Sequence, residues 1–206
     1  MRLKRGCAIT TFTILIVFLL GFGYVEYPLM AARVKWGPYL QLCDDVYSGN
    51  ISGVKRDLAG GVDPNKLPDD DEAIGDEMDM AALCVAASRG NLAIANLLLD
   101  HGADPNIVDG WHGSPLTAAA EADNVPMLEL LVKRGAKINE STDGSWALWR
   151  SATGGKLKAE RYLLENGANP NTSAYTTKVG ERVLEATRLS GQPAATALLK
   201  KFGARE

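Results

Sequence analysis

Residues 82–106 read ALCVAASRGNLAIANLLLDHGADPN, and the closing phrase of this stretch returns along the chain. It is GGVDPN at Gly60–Asn65, HGADPN at His101–Asn106, RGAKIN at Arg134–Asn139 and NGANPN at Asn166–Asn171, with a last fragment FGA at Phe202–Ala204. An apolar, leucine-rich helical pattern leads into the phrase, as in NLAIANLLLD (Asn91–Asp100) and AERYLLE (Ala159–Glu165). One glycine is shared by all five units, at Gly61, Gly102, Gly135, Gly167 and Gly203, so the spacings are 41, 33, 32 and 36 residues. Self-similarity at this period predicts a solenoid of stacked units. Such arrays are usually binding surfaces, and no chemistry follows from the period itself.

Alignment on that glycine exposes further columns. A leucine recurs at Leu42, Leu83, Leu116, Leu148 and Leu184, and seven residues later come Gly49, Gly90, Asp123, Gly155 and Gly191. A residue that ends one helix and reverses the chain often needs the left-handed conformation, free to glycine and tolerated by Asp. Each unit therefore reads as helix, tight turn, helix, then a loop carrying Asp-Pro-Asn or a relative. Ala86–Ala87, Ala119–Ala120 and Ser151–Ala152 leave a small-residue stripe on the first helix, so that neighbouring helices approach closely. The outer units depart from it with Asp45–Val46 and Thr187–Arg188. A second apolar column, Leu58, Leu99, Val132 and Leu164, ends in Lys200, which predicts a polar face where stacking stops.

These residues resemble the ankyrin repeat family from about Trp36 to Glu206, most clearly in ALCVAASRGNLAIANLLLDHGADPN and SPLTAAAEADNVPMLELLVKRGAKIN (Ser114–Asn139). The family's Thr-Pro-Leu-His tetrapeptide is eroded. Only Ser114-Pro115-Leu116-Thr117 approaches it, and the histidine column holds Cys43, Cys84, Thr117, Trp149 and Glu185. The resemblance implies an all-α solenoid of about five helix-turn-helix repeats over residues 38–206, with projecting fingers, used for protein recognition. The residues after the small pair then point away from the stack. Partner-contacting positions expected on this basis are Tyr47, Arg89 and Glu121 on the first helices and Trp111, His112, Trp146 and Tyr175 at the fingers. Trp, Tyr and Arg are the commonest interface hot spots, although Trp146 and Trp149 would equally fill the gap left by the eroded tetrapeptide.

Residues 1–26 are a different material. Arg2, Lys4 and Arg5 precede an uncharged run from Gly6 to Val25, 20 residues of which eleven are Ile, Leu, Val or Phe. Twenty helical residues span roughly 30 Å, the thickness of a bilayer core. The segment reads as an N-terminal transmembrane anchor, with a cleaved signal peptide as the alternative, and residues 27–37 as a linker. The basic flank keeps the N-terminus in the cytoplasm and exports the repeats. The expected location is thus the cell inner membrane, single-pass, with the ankyrin domain periplasmic, or a secreted or periplasmic protein after cleavage. Without the three N-terminal basic residues, 19 Lys and Arg face 25 Asp and Glu, a net of −6. That balance offers no electrostatic footprint for nucleic acid.

Chemistry finds few candidates. Cys43 and Cys84 fall in one column of adjacent repeats, and stacked helices about 8–10 Å apart are beyond disulfide reach. They read as small buried thiols, with a single bridge or redox sensing as the alternative. His101 sits at a helix end, where partial positive charge suits the carbonyls; His112 lies in a loop. No nucleophile motif, phosphate-cradling loop or paired-carboxylate motif occurs, and neither an enzyme nor a cofactor is expected. The insertion LPDDDEAIGDEMD (Leu67–Asp79) accounts for the longest spacing and carries seven acids. It reads as a solvated loop able to meet a basic partner; Gly75 does not sit at EF-hand spacing for calcium. The leading expectation is a membrane-tethered, exported, non-catalytic ankyrin module that binds another protein. The alternative is a periplasmic immunity-type protein that masks a secreted toxin.

Overall fold

The computed structural model describes residues 27–67, 81–109, 113–139, 144–172 and 182–205. Ten helices lie within them, in five pairs: α1 (Tyr27–Ser48) and α2 (Ile51–Ala59), α3 (Ala82–Arg89) and α4 (Leu92–Asp100), α5 (Pro115–Glu121) and α6 (Val125–Lys133), α7 (Gly144–Thr153) and α8 (Leu157–Glu165), α9 (Val183–Leu189) and α10 (Pro193–Lys201). The first helices α1, α3, α5, α7 and α9 stack in chain order, and the second helices form a parallel row against them. This is the five-repeat helical solenoid that the period predicts. Helix α1 runs back through Pro38 to Tyr27, so the stretch expected as a linker is helical. Among the described residues no helix is long and apolar enough to cross a membrane; the run Gly6–Val25 lies outside them.

The turn columns behave as their residue types require. Gly49, Gly90, Gly155 and Gly191 have φ of 75°, 69°, 65° and 67°, and Asp123 joins them at 53°. The five loop glycines have φ between 84° and 98°. Chain reversal between the paired helices therefore depends on the left-handed region, which most side chains avoid. All five column leucines are buried, and Ala86, Ala87, Ala119, Ala120, Ser151 and Ala152 are fully enclosed. Small side chains at that stripe let the first helices pack more closely on each other than the second helices do.

The outer repeats modify this plan. Asp45, which stands in the first repeat where inner repeats have a small residue, is buried. Its carboxylate accepts from Arg56 Nη2 at 2.9 Å and from Asn50 Nδ2 at 2.9 Å. It fits because residue 53 is glycine: a Cβ there would lie 2.0 Å from Asp45 Oδ2. At the other end Thr187 is buried, with its hydroxyl turned onto the Val183 carbonyl, while Arg188 and Lys200 are exposed.

Two devices order the repeats, one between neighbours and one at the start of second helices. The first is the asparagine that closes each loop phrase. Asn65 Nδ2 donates to Gly102 O at 2.8 Å, and its Oδ1 accepts from Asp104 N at 2.7 Å. Asn106 does the same to Gly135 O and Lys137 N, Asn139 to Gly167 O and Asn169 N, and Asn171 to Gly203 O and Arg205 N. Each amide thus serves one acceptor and one donor of the next loop. Asp63, Asp104 and Asn169 hold their asparagine in place by accepting from its backbone N–H at 2.8–2.9 Å.

The second device caps the second helices. Asn50, Asn91 and Asn124 accept from the N–H three residues on, each at 3.1 Å. A Cβ at Gly90 would lie 2.6 Å from Asn124 Nδ2, so this cap needs a glycine in the preceding turn. In the fourth repeat both residues change together. Lys156 supplies no cap to α8, and Asp123 of the preceding repeat accepts from Ala159 N at 2.8 Å instead. Asp123→Ala should therefore cost about 2 kcal/mol in urea unfolding, losing a cap and straining the turn. Asp123→Gly should cost less, and Asp123→Gly with Lys156→Asn should recover near wild-type stability. Equal losses in the single and the double glycine variants would reject the exchange of caps.

Candidate interaction surface

The C-terminal ends of the first helices carry a row of side chains that the core does not use. At equivalent positions in the five repeats stand Tyr47, Ser88, Glu121, Thr153 and Leu189, each followed by the next residue in the turn. The row exists because packing takes the two small residues before it, and the left-handed turn begins just after it. Tyr47 is 56% exposed and Leu189 73% exposed, placing a large apolar group at either end of the array.

Neighbouring repeats engage one another along this row. The Arg89 guanidinium lies over the Tyr47 ring, with its Cζ 4.1 Å from the centroid. Such stacking holds the cation by its face and leaves its edge N–H groups for other acceptors. Glu121 forms an ion pair with Arg150 of α7. Beside that pair is an open groove of about 440 Å³, lined by Trp149, Arg150, Thr153, Lys156 and Ser190 as well as Glu121. The groove offers two cations, a carboxylate and an indole, a set suited to a polypeptide surface.

Of the expected contact residues, the structure brings Tyr47 and Arg89 together and places Glu121 on the same face. Trp146 is half-buried, its ring centroid 6.0 Å from that of Trp149 and the planes inclined at 56°. Trp149 packs against the core, filling the column where the family pattern has histidine. Trp111, His112 and Tyr175 lie outside the described residues, as do residues 68–80 of the acidic insertion. Two members of the surface were missed in the sequence. Arg150 is on the face through its pairing with Glu121, which spacing alone does not reveal. Leu189 follows from continuing the same column into the fifth repeat.

The eroded tetrapeptide alters the capping of the first helices. Ser114 still caps α5, accepting from Thr117 N at 3.2 Å, whereas Ala81 and Arg182 offer α3 and α9 no side-chain cap. Helix α3 is served from elsewhere: buried Asp109 accepts from Ala81 N at 3.0 Å, and the Tyr39 hydroxyl accepts from Ala82 N at 3.2 Å. Tyr39 and Cys43 are hydrogen-bonded to each other, and the Cys84 thiol donates to Asp109. Neither cysteine is in a disulfide. Burial pushes the Cys43 thiol up to about 12 and the Cys84 thiol well above the usual range, with the nearby carboxylates adding to the effect. Nucleophilic and ligand chemistry both need the thiolate, which this site disfavours. His101 occupies the C-cap of α4, its backbone N–H on the Leu97 and Leu98 carbonyls. Among the described residues no group of three or more His, Cys, Asp or Glu is placed to hold a metal ion.

Comparison with known proteins agrees with this geometry. Residues 83–174 match the family model for ankyrin repeats (3 copies). The chain is similar to the transient receptor potential channel pyrexia of Drosophila melanogaster, 31% identical over 150 residues, which cover 70% of this chain and 16% of that protein. It is 34% identical over 92 residues to the transient receptor potential cation channel subfamily A member 1 homolog of Caenorhabditis elegans, covering 45% of this chain and 8% of that protein. With the B-cell lymphoma 3 protein homolog of Mus musculus it shares 38% over 92 residues, 44% of this chain and 20% of that protein. The chain thus spans a fifth or less of these relatives. The repeat period, the helical pairs, the left-handed turns and the matched model agree: the chain belongs to the ankyrin repeat family.

Proposed function

We propose that this chain is a membrane-tethered, exported ankyrin module that binds another protein through the exposed ends of its first helices. The observation that carries the binding face is the row from Tyr47 to Leu189, in which Tyr47 with Arg89 and Glu121 with Arg150 are already paired across neighbouring repeats before any partner arrives. Preorganised groups lose little freedom on binding, so they contribute more of their contact energy to affinity. Support for the tether is the basic start and the uncharged run Gly6–Val25. Ankyrin repeats generally serve as non-catalytic interaction modules, and this one is read in the same way.

Two experiments test the reading. The full chain in detergent is used to capture its partner, and the complex is titrated with Tyr47→Ala, Arg89→Ala and Leu189→Ala. Each should weaken binding at least about tenfold if it is a hot spot. Unchanged affinity in all three folded variants would move recognition to the fingers or the acidic insertion. Separately, a phosphatase fused after Glu206 should be active only outside the cytoplasm; a cytoplasmic C-terminus would overturn the topology. A mature N-terminus near Tyr24 would replace the anchor by a cleaved signal.

A further inference from the structure

Helix α8 carries a carboxylate where the stack has no use for one. At equivalent positions on the second helices stand Val54, Ala95, Leu128, Glu160 and Thr196. The first three are completely buried members of the hydrophobic core. Glu160 is equally buried, at 0% exposure, and among the described residues neither carboxylate oxygen has a hydrogen-bond partner. Its helix packs against α5, α6 and α7 on one side of the joint and α10 on the other. The flanking Ala159 and Leu163 are fully enclosed as well, so the carboxyl is set in an apolar seam.

An ionised carboxylate in such a seam carries a large desolvation cost that only a close cation or several donors offset. Among the described residues neither is supplied. The charged side chains on the helices packed against α8 are Glu121, Glu129, Arg150, Lys133, Lys200 and Lys201, none of them buried, and Arg150 is committed to Glu121. On its own helix the adjacent Arg161 favours ionisation, but burial outweighs it and raises the Glu160 carboxyl from 4.5 to about 8. Such a group stays neutral near neutrality instead of bearing the cost of charge.

We propose that Glu160 makes the seating of α8 in the stack proton-operated: the neutral carboxyl keeps α8 packed among α5, α6, α7 and α10, and its ionisation loosens α8 together with the last repeat that packs on it. The consequence is directional. Between pH 4.5 and about 8 the open chain has already lost this proton while the closed stack retains it, so closure binds the proton and weakens as pH rises. Below that window the joint is fully closed; above it the penalty is complete. Leu189, one end of the candidate binding row, rides on the repeat that would loosen.

The test is hydrogen exchange of the α8 and α10 amides in the full chain from pH 5 to 9, corrected for intrinsic base catalysis, in wild type, Glu160→Gln and Glu160→Val. The wild-type opening constant should rise by up to about tenfold per pH unit across the window, and both variants should remove that slope. Glu160→Val restores the residue type of Val54 and gives a reading even if the amide variant folds poorly. A carbon-13 titration of the Glu160 carboxyl provides a second readout. Parallel slopes in wild type and variants, or a carboxyl midpoint near its ordinary value of 4.5, would overturn the proposal.

Discussion

The asparagine bridge is the contact on which the array depends. A single ankyrin pair buries only one face, so its stability comes from its neighbours. The amide of Asn65, Asn106, Asn139 or Asn171 donates to a loop glycine carbonyl of the next repeat and accepts from an N–H two residues further on. Two bonds from one planar group fix both distance and orientation, and they keep the loops in register. That register places the small-residue stripes of the first helices opposite each other, which permits their close approach. It also aligns the row of exposed side chains from which recognition is proposed.

This dependence explains which parts of the fold were legible in the sequence. The period, the leucine column and the two glycine columns could be read directly because each encodes one backbone requirement. Asp123 shows the reading at its best, since its left-handed φ of 53° follows from column membership alone. Its second role, capping α8 across the repeat boundary, was invisible because it needs the simultaneous change at Lys156. The asparagine of the loop phrase was equally plain as a letter. What it touches, however, is 28–39 residues away, and no single unit displays that distance. The burial of Asp45 was not legible, because the space that Gly53 makes for it eight residues further on does not show in composition.

The candidate surface was legible in part. Tyr47, Arg89 and Glu121 followed from their positions after the small pair, and the structure shows the first two stacked and the third in an ion pair. Trp146 was ambiguous for a physical reason: an aromatic beside an eroded tetrapeptide can fill the space or project from it. Here it is half-buried near Trp149. Glu160 escaped notice because a glutamate in a helix reads as a solvent-facing residue. Only its place in the column of Val54, Ala95 and Leu128 reveals that it points into the core.

The most direct test of the central claim is urea unfolding of Asn106→Ala, followed at once by far-ultraviolet circular dichroism and by tryptophan fluorescence. Asn106 joins the second and third repeats, whereas Trp146 and Trp149 report on the fourth once Trp36 and Trp111 are replaced by Phe in both proteins. Two bonds worth about 0.5–1.5 kcal/mol each are removed. If the bridges hold the array together, the wild type should unfold with coincident curves. The variant should then lose about 1–3 kcal/mol and show the two probes parting. Coincident curves at the wild-type midpoint would contradict the account and leave the stacking to apolar contact alone.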